Sequence, residues 1–397
     1  MKKLYGIILV VLTLVFMVGC KPEENELVID NAFYDAGLNH TYLIYDHFYH
    51  APGYFSAYDP ADTTPGSEYA GTAALWDYGA VMTMLAAAAN LNPNLPLFKE
   101  KIEDVMEGLK KFRMPRTQLH YSAIVGAGGE PYYDDNAWVV LALYDLAKAY
   151  DDDELMAHSR ELLDYVLSGE SEDGGIYWKE TVSSRNTCSS GPMVVASVLH
   201  YLENPEEEQE LLEAAIRVYN WTKTVLRDPS DNVYWDNAIY DYTNDVEQVE
   251  KWKFTYNSGT MIWAGVLLHQ ATNEMSYRQD AIDTALGALG FYYQPNKDGR
   301  YFYPRTPWFN LYLLRGFIEL AKSDESNSYD YLVNSFKTSL RYGLVNGTEE
   351  RGFILPTWGS GENSTTDKFL PLLETVASTE MMFLLADWEI NHEKGDQ

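Results

Sequence analysis

The chain has 397 residues, of which 46% are hydrophobic and 14% aromatic. This composition is typical of a globular protein with a sizeable core and excludes a chain that is disordered throughout. Its 29 basic and 59 acidic residues give a formal net charge of −30. Since an acidic surface repels phosphate backbones, we expect no nucleic-acid partner, and a neutral ligand fits better than an anionic one.

The N-terminus has the layout of a secretory signal peptide. Lys2 and Lys3 precede an apolar run at 4–18, and Met17-Val18-Gly19-Cys20 resembles the bacterial lipobox. We expect a signal peptide at 1–19, lipidation of Cys20 and a polar tether at 20–28. A plain secretory signal that is cleaved elsewhere is the alternative. The lipid would be the only membrane attachment of an exported cell-envelope lipoprotein, with the outer-membrane surface as one option.

Two series of helical segments alternate along the rest of the chain. Six segments have mixed apolar and charged faces: 31–48, 96–113, 152–168, 206–226, 276–290 and 327–343. Six others are more apolar: 72–90, 134–150, 187–203, 256–272, 307–322 and 372–390. Helices that are apolar nearly all round are buried, and regular alternation indicates stacked units. The pattern predicts an all-α (α/α)6 toroid, and the lack of an internal linker predicts one domain at 29–392.

The loops that enter the apolar helices combine glycine with aromatic residues, as in GYFSAY, DGGIYWKE, NVYWDNAIY and RGFILPTW. In a toroid these loops converge on one rim. Aromatic rings stack on sugar C–H faces, and polar side chains between them bind hydroxyls, so the rim favours a sugar-binding cleft. The alternative is a set of short aromatic turns that only cap the barrel.

The strongest candidates for chemistry are Asp134 and Asp135, which begin the second apolar helix. Capping explains an acid at a helix N-terminus, but one residue suffices for it. Retaining glycosidases need two carboxyl groups about 5–5.5 Å apart in different protonation states. Neighbouring residues, with Cα atoms about 3.8 Å apart, can reach that spacing. From these residues alone, capping and catalysis both stay open.

Several short motifs occur in a characteristic order. They are LWDY at 75–78, YDDNAW at 133–138, GGIYW at 174–178, SGP at 190–192, VYWD at 233–236 and FTYNSG at 254–259. This order resembles glycoside hydrolase family 76, the endo-α-1,6-mannanases. The resemblance implies an (α/α)6 fold and retaining, endo-acting cleavage of α-1,6-mannosidic bonds in mannan backbones. It also implies that Asp134 is the nucleophile and Asp135 the general acid/base.

Further residues of the rim and of the inner helix ends are candidates for binding the polysaccharide. They are Trp76, Asp77, Tyr133, Asn136, Trp178, Asn186, Trp235, Asp236, Tyr256, Asn257 and Trp358. Core packing is an alternative for Trp76, and helix capping for the asparagines. No metal or cofactor is expected, because the eight histidines lack ligand spacing and Cys188 reads as a packing residue. We expect a monomer.

Four alternatives remain from the sequence. An exo-mannosidase, an unsaturated glucuronyl hydrolase and a mannan transglycosylase would share the fold class. A non-catalytic surface glycan-binding lipoprotein would share the signal, the acidity and the aromatic residues, but it would not require the acid pair.

Overall fold

The computed structural model describes residues 29–62, 64, 67, 69–114, 120–126, 129–241, 243, 244, 246–361 and 368–393. The signal peptide, Cys20 and the tether that the sequence predicts lie outside these residues. No helix within the described ranges is long and apolar enough to cross a membrane.

Twelve α-helices lie in the described part of the chain and alternate between two layers. The outer helices are α1 Ala32–Phe48, α3 Pro96–Leu109, α5 Asp153–Leu167, α7 Gln209–Leu226, α9 Met275–Tyr292 and α11 Asp330–Asn346. The inner helices are α2 Leu75–Leu91, α4 Tyr133–Tyr150, α6 Thr187–Glu203, α8 Thr255–Thr272, α10 Pro307–Lys322 and α12 Leu372–Asp387. A turn of 3-10 helix at Lys110–Phe112 and a π-helical turn at Trp388–His392 extend α3 and α12.

The inner helices form a closed ring. Each inner helix contacts the next one, and α12 contacts α2. Each also packs against the outer helix that follows it, while α12 packs against α1. The predicted (α/α)6 toroid is confirmed, and the predicted segments agree closely with the helices, 187–203 with α6 and 307–322 with α10. Because outer helices return the chain to the same end, the N-termini of all inner helices meet at one rim.

Close helix packing and a buried ion cluster join the inner helices. A Cβ atom on Gly259 would lie 2.4 Å from the carbonyl oxygen of Tyr312, so α8 and α10 touch there. Deeper in the ring, Arg315 of α10 donates to Glu380 of α12 at 2.5 Å and pairs with Asp145 of α4 at 2.9 Å. The cluster compensates the charge of Glu380, which is fully buried.

The described strands are short apart from one hairpin. The strands β4 Ser184–Asn186, β5 Trp235–Asp241 and β6 Val246–Lys253 form an antiparallel sheet in the order β4-β5-β6. Three two-residue pairs join β1 Tyr49–His50 to β2 Tyr54–Phe55, β3 Tyr58–Asp59 to β9 Leu370–Pro371, and β7 Gln294–Pro295 to β8 Tyr301–Phe302. The β5–β6 hairpin was not expected from the sequence, which suggested a simple rim turn before α8.

Candidate active site

A cavity of about 500 Å³ opens at the rim where the inner helices begin. Its wall comes from the first turns of α2, α4, α6 and α8, from the loop before β4, and from the sheet. Three acids (Asp134, Asp236, Glu250) and four aromatic residues (Trp76, Trp178, Phe254, Tyr256) line it. No lysine or arginine is among the lining residues that the structure describes. The cavity is therefore acidic and aromatic, as a neutral, hydroxyl-rich ligand requires.

Asp134 lies in the first turn of α4 and accepts three hydrogen bonds. Its Oδ1 accepts from the backbone N–H of Asp135 at 3.0 Å. Its Oδ2 accepts from the indole N–H of Trp178 at 3.0 Å and from the thiol of Cys188 at 3.4 Å. Burial raises the pKa of Asp134 to about 6, while these donors stabilise the ionised form and limit the rise.

Asp135 has a different environment although it is the next residue. Burial raises its pKa well above the usual value, and the negative charges of Asp134 and Asp77 raise it further. At pH values between the two titrations Asp134 is ionised while Asp135 keeps its proton. The adjacent acids are thus held in the two protonation states that glycosidic bond cleavage uses.

The loop that carries Trp178 is fixed by backbone hydrogen bonds on both sides. The N–H of Tyr133, at the start of α4, donates to the carbonyl of Trp178 at 2.9 Å. The N–H of Trp178 donates to the carbonyl of Ser184 in β4 at 2.9 Å. Trp178 is 38% exposed, so it is available to a ligand as well as to Asp134.

Five of the eleven predicted binding residues line the cavity: Trp76, Trp178, Asn186, Asp236 and Tyr256. Trp76 packs at 5.4 Å on the buried ring of Trp308. Burial raises the pKa of Asp236, whose Oδ2 accepts from the amide of Asn237 at 3.0 Å. The five residues come from α2, the loop before β4, β4, β5 and α8.

Three predicted binding residues make structural contacts and are not among the residues that line the cavity. Tyr133 is buried, and its ring stacks on Tyr165 at 5.0 Å. The fully buried amide of Asn136 bonds to the backbone N–H and carbonyl of Tyr121 and to the carbonyl of Tyr132. Trp358 is also buried, and its indole N–H donates to the Ser378 hydroxyl at 3.2 Å.

Asp77, Trp235 and Asn257 lie beside the cavity and do not line it. Asp77 accepts from the backbone N–H of Ala74 at 2.7 Å and caps α2, and burial raises its pKa to about 7. The ring of Trp235 has Lys251 above it, with 4.8 Å between the ammonium and the ring centre. Asn257 is fully buried and follows the lining residue Tyr256. The negative charge of Asp77 contributes to the raised pKa of Asp135.

The cavity also contains residues that the sequence reading missed. Cys188, taken there for a packing residue, lines it beside Asp134. Asn237, Ile239 and Glu250 enter it from the unexpected hairpin. Strand register decides which side of the hairpin faces the cavity, so no local signal identified them.

A second cavity of about 350 Å³ lies at the opposite end of the ring. Its lining includes Asp145, Arg315 and Glu319, and none of the predicted site residues. Asp134 and five of the predicted binding residues therefore line the first cavity and not the second.

Comparison with known proteins gives a family match. The family model described as glycosyl hydrolase family 76 matches residues 44–303. No curated protein sequence matches the chain.

Solved structures of similar fold agree with this match. The family 76 mannosidase Bt3792 of Bacteroides thetaiotaomicron is 23% identical, with 92% of this chain and 100% of that chain covered and a TM-score of 0.80. The α-1,6-mannanase GH76A of Salegentibacter sp. HEL1_6 is 22% identical, with 89% and 99% covered and a TM-score of 0.72. A further structure is an inactive variant of that mannanase, with two consecutive aspartates replaced by asparagine, in complex with α-1,6-mannotriose. It is 23% identical, with 89% of this chain and 99% of that chain covered and a TM-score of 0.71. At these identities the likeness shows the fold.

Proposed function

Because the chain belongs to glycosyl hydrolase family 76, we propose that it hydrolyses α-1,6-mannosidic bonds within mannan backbones with retention of configuration. The observation that carries the proposal is the pair of adjacent acids in the first turn of α4: Asp134 lines the cavity, and the pKa of its neighbour Asp135 is raised well above the usual value.

In this mechanism the ionised Asp134 attacks the anomeric carbon while Asp135 donates its proton to the leaving glycosidic oxygen. The product is a covalent mannosyl-enzyme ester on Asp134. Asp135, now ionised, takes a proton from water, and the resulting hydroxide displaces Asp134 from the anomeric carbon. The hydrogen bonds from Trp178 and Cys188 support the nucleophile role, because they favour the charged form of Asp134.

The charge of the cavity supports a neutral sugar. Its described lining holds three acids and no base, so a uronic acid or a phosphorylated sugar would meet repulsion without a compensating cation. Trp76, Trp178 and Tyr256 supply rings for stacking on sugar C–H faces. This argues against the unsaturated glucuronyl hydrolase alternative.

The choice of α-1,6-linked mannan rests on the structural relatives. Their descriptions are mannosidase and α-1,6-mannanase. In the inactive variant of the Salegentibacter enzyme, two consecutive aspartates are replaced. This chain also has a consecutive pair in the first turn of α4, and Asp134 of that pair lines the cavity, which supports assigning the chemistry to Asp134 and Asp135.

The test is to incubate the purified protein with linear α-1,6-mannan and follow the size and anomeric configuration of the products. We expect oligosaccharides as early products, with α-anomers appearing first. Asp134→Asn and Asp135→Asn should each lower kcat by about 10³-fold or more, since each removes an essential step.

Other outcomes would point to the alternatives. Binding without any product would refute the enzyme and favour a glycan-binding lipoprotein. Mannose as the only early product would refute internal cleavage and favour an exo-mannosidase. Products longer than the substrate would indicate transfer to a sugar acceptor in place of water.

We also propose an exported, lipid-anchored protein with one catalytic domain at 29–392, acting as a monomer. The support for export is the basic, then apolar N-terminus that ends at Gly19-Cys20. Labelling cells with a fatty-acid analogue should mark the wild type and not a Cys20→Ser variant. Labelling of both would refute the anchor.

A further inference from the structure

The second cavity, here called the base cavity, lies at the end of the ring opposite the proposed catalytic centre. Its volume of about 350 Å³ is near the lower end of the range for ligand sites. Its wall includes residues from the last turns of α2, α4, α10 and α12: Asn90, Lys148, Lys322 and Asp387. At about 1.5 Å per residue along α4, Lys148 lies about 21 Å from Asp134. The two cavities are therefore separate sites.

The cations in the wall of the base cavity each have a carboxylate partner. They are Arg315 with Asp145 and Glu380 at 2.9 and 2.5 Å, Lys148 with Glu203 at 2.9 Å, and Lys322 with Asp387 at 3.3 Å. These cations thus face more acids than their own number. The helix ends add to this imbalance, because a helix C-terminus carries partial negative charge and its last carbonyl groups lack partners within the helix.

Glu319 of α10 also faces the base cavity and differs from the paired acids. It is half-buried, and among the described residues no group donates a hydrogen bond to its carboxylate. Lys322 and Arg315 attract its charge only from beyond ion-pair distance. Burial without a donor is unfavourable for a carboxylate. A further positive charge in the base cavity would therefore be stabilised beside Glu319.

The rest of the wall is apolar and aromatic. Trp263, Ile318 and Phe383 line it, and all three are buried from bulk solvent. The guanidinium of Arg315 lies 5.7 Å from the ring centre of Trp263, so this ring already contacts one cation. An anion would meet the excess of acids, and an uncharged molecule would leave the charge of Glu319 without compensation. The occupant that complements this wall has an apolar body and one cationic end.

We infer that the base cavity is a second ligand site, which binds a small organic molecule with a protonated primary amine. An ammonium group has three N–H donors, which suit the carboxylate of Glu319 and the free carbonyl groups at the helix ends. The apolar part of the ligand would contact Trp263 and Ile318. Because the ligand binds only the folded ring, it stabilises the fold. The inference does not depend on the proposed mannan cleavage.

The test titrates the purified protein with n-butylammonium chloride in a calorimeter at mildly alkaline pH. The uncharged probe of similar size is n-butanol. We expect n-butylammonium to bind at a single site with a Kd in the millimolar range, and n-butanol to give no binding heat. At about ten times its Kd, n-butylammonium should raise Tm by about 2 °C.

Three variants locate the site. Glu319→Gln should weaken n-butylammonium binding by about tenfold or more, because a hydrogen bond to a charged acceptor is lost. The matched control is Glu210→Gln, the same chemical change on the exposed side of α7, and it should bind as the wild type does. Asn90→Lys, at an exposed position, brings an ammonium of the chain itself to the cavity wall and should also weaken binding.

Three results would overturn the inference. They are no binding of n-butylammonium to the wild type, equal binding of n-butanol, and a Glu319→Gln variant with wild-type affinity. If Glu319→Gln does not fold, Asn90→Lys decides, and an unchanged affinity in that variant would overturn the inference. None of these results bears on mannan cleavage, which is measured separately as product formation.

Discussion

Replacing Trp178 by phenylalanine removes one hydrogen bond to the proposed nucleophile and keeps an aromatic ring at the cavity. The indole N–H lies 3.0 Å from Oδ2 of Asp134. This donor stabilises the ionised carboxylate, so it lowers the pKa of Asp134. Its removal must therefore raise that pKa.

The size of the shift follows from the energy of such a bond. A hydrogen bond to a charged group contributes about 1.5–3 kcal/mol. Trp178 is 38% exposed, so water replaces part of the lost interaction, and the lower end applies. About 1.4 kcal/mol corresponds to a rise of about one pKa unit for Asp134.

The assay is the pH dependence of kcat/KM on a linear α-1,6-manno-oligosaccharide. Loss of activity on the acid side reports protonation of Asp134, and loss on the alkaline side reports deprotonation of Asp135. In Trp178→Phe the acid limb of the pH profile should move up by about one pH unit, while the alkaline limb stays in place. The pH range in which the enzyme is active therefore becomes narrower. Cys188→Ala is the graded comparison: a thiol at 3.4 Å is a weaker donor, so its shift should be smaller.

One result would refute this reasoning. If Trp178→Phe lowered kcat/KM equally at every pH and left the acid limb in place, the indole would act only through stacking on the sugar. A larger shift for Cys188→Ala than for Trp178→Phe would also contradict the assigned order of donors.

Two further predictions concern residues outside the cavity lining. Asn136→Ala should lower the free energy of unfolding by about 3 kcal/mol, because a buried amide with three hydrogen bonds is lost. If this variant changed KM and left Tm unchanged, Asn136 would act in substrate binding and not in stability. Burial raises the pKa of Glu374 in the folded state to about 7, above its value in the unfolded chain. The folded state therefore binds this proton more tightly, and the free energy of unfolding falls as pH rises towards 7. Glu374→Gln should flatten that fall in denaturant melts, and an unchanged pH slope would contradict the assignment.

Much of the fold could be predicted because helix periodicity is local. Runs that are apolar on nearly all sides, such as 187–203 and 256–272, are buried in any arrangement. Six such runs that alternate with two-faced helices leave few possible folds. The acid pair was equally visible, since Asp134 and Asp135 are neighbours in the chain and need no tertiary contact to be found together.

The sequence could not show which side chains around that pair face the cavity and which lie in the core. Tyr133 and Trp178 both lie in aromatic rim motifs, but one stacks on Tyr165 in the core and the other reaches Asp134. The direction in which each inner helix enters the ring decides this, and it depends on packing between distant helices. For the same reason the sequence could not show that the thiol of Cys188 donates a hydrogen bond to Asp134.

The sequence by itself determined the helical repeat, the acidic character and the position of the acid pair. Only the tertiary structure decided which rim residues face the cavity, that Asp134 and Asp135 have different environments, and that a sheet forms one wall. The physical reason is that burial, hydrogen bonding and strand register depend on groups far apart in the chain. Shifting the pairing of β5 by one residue would turn Asn237 and Ile239 away from the cavity and bring Ala238 into it.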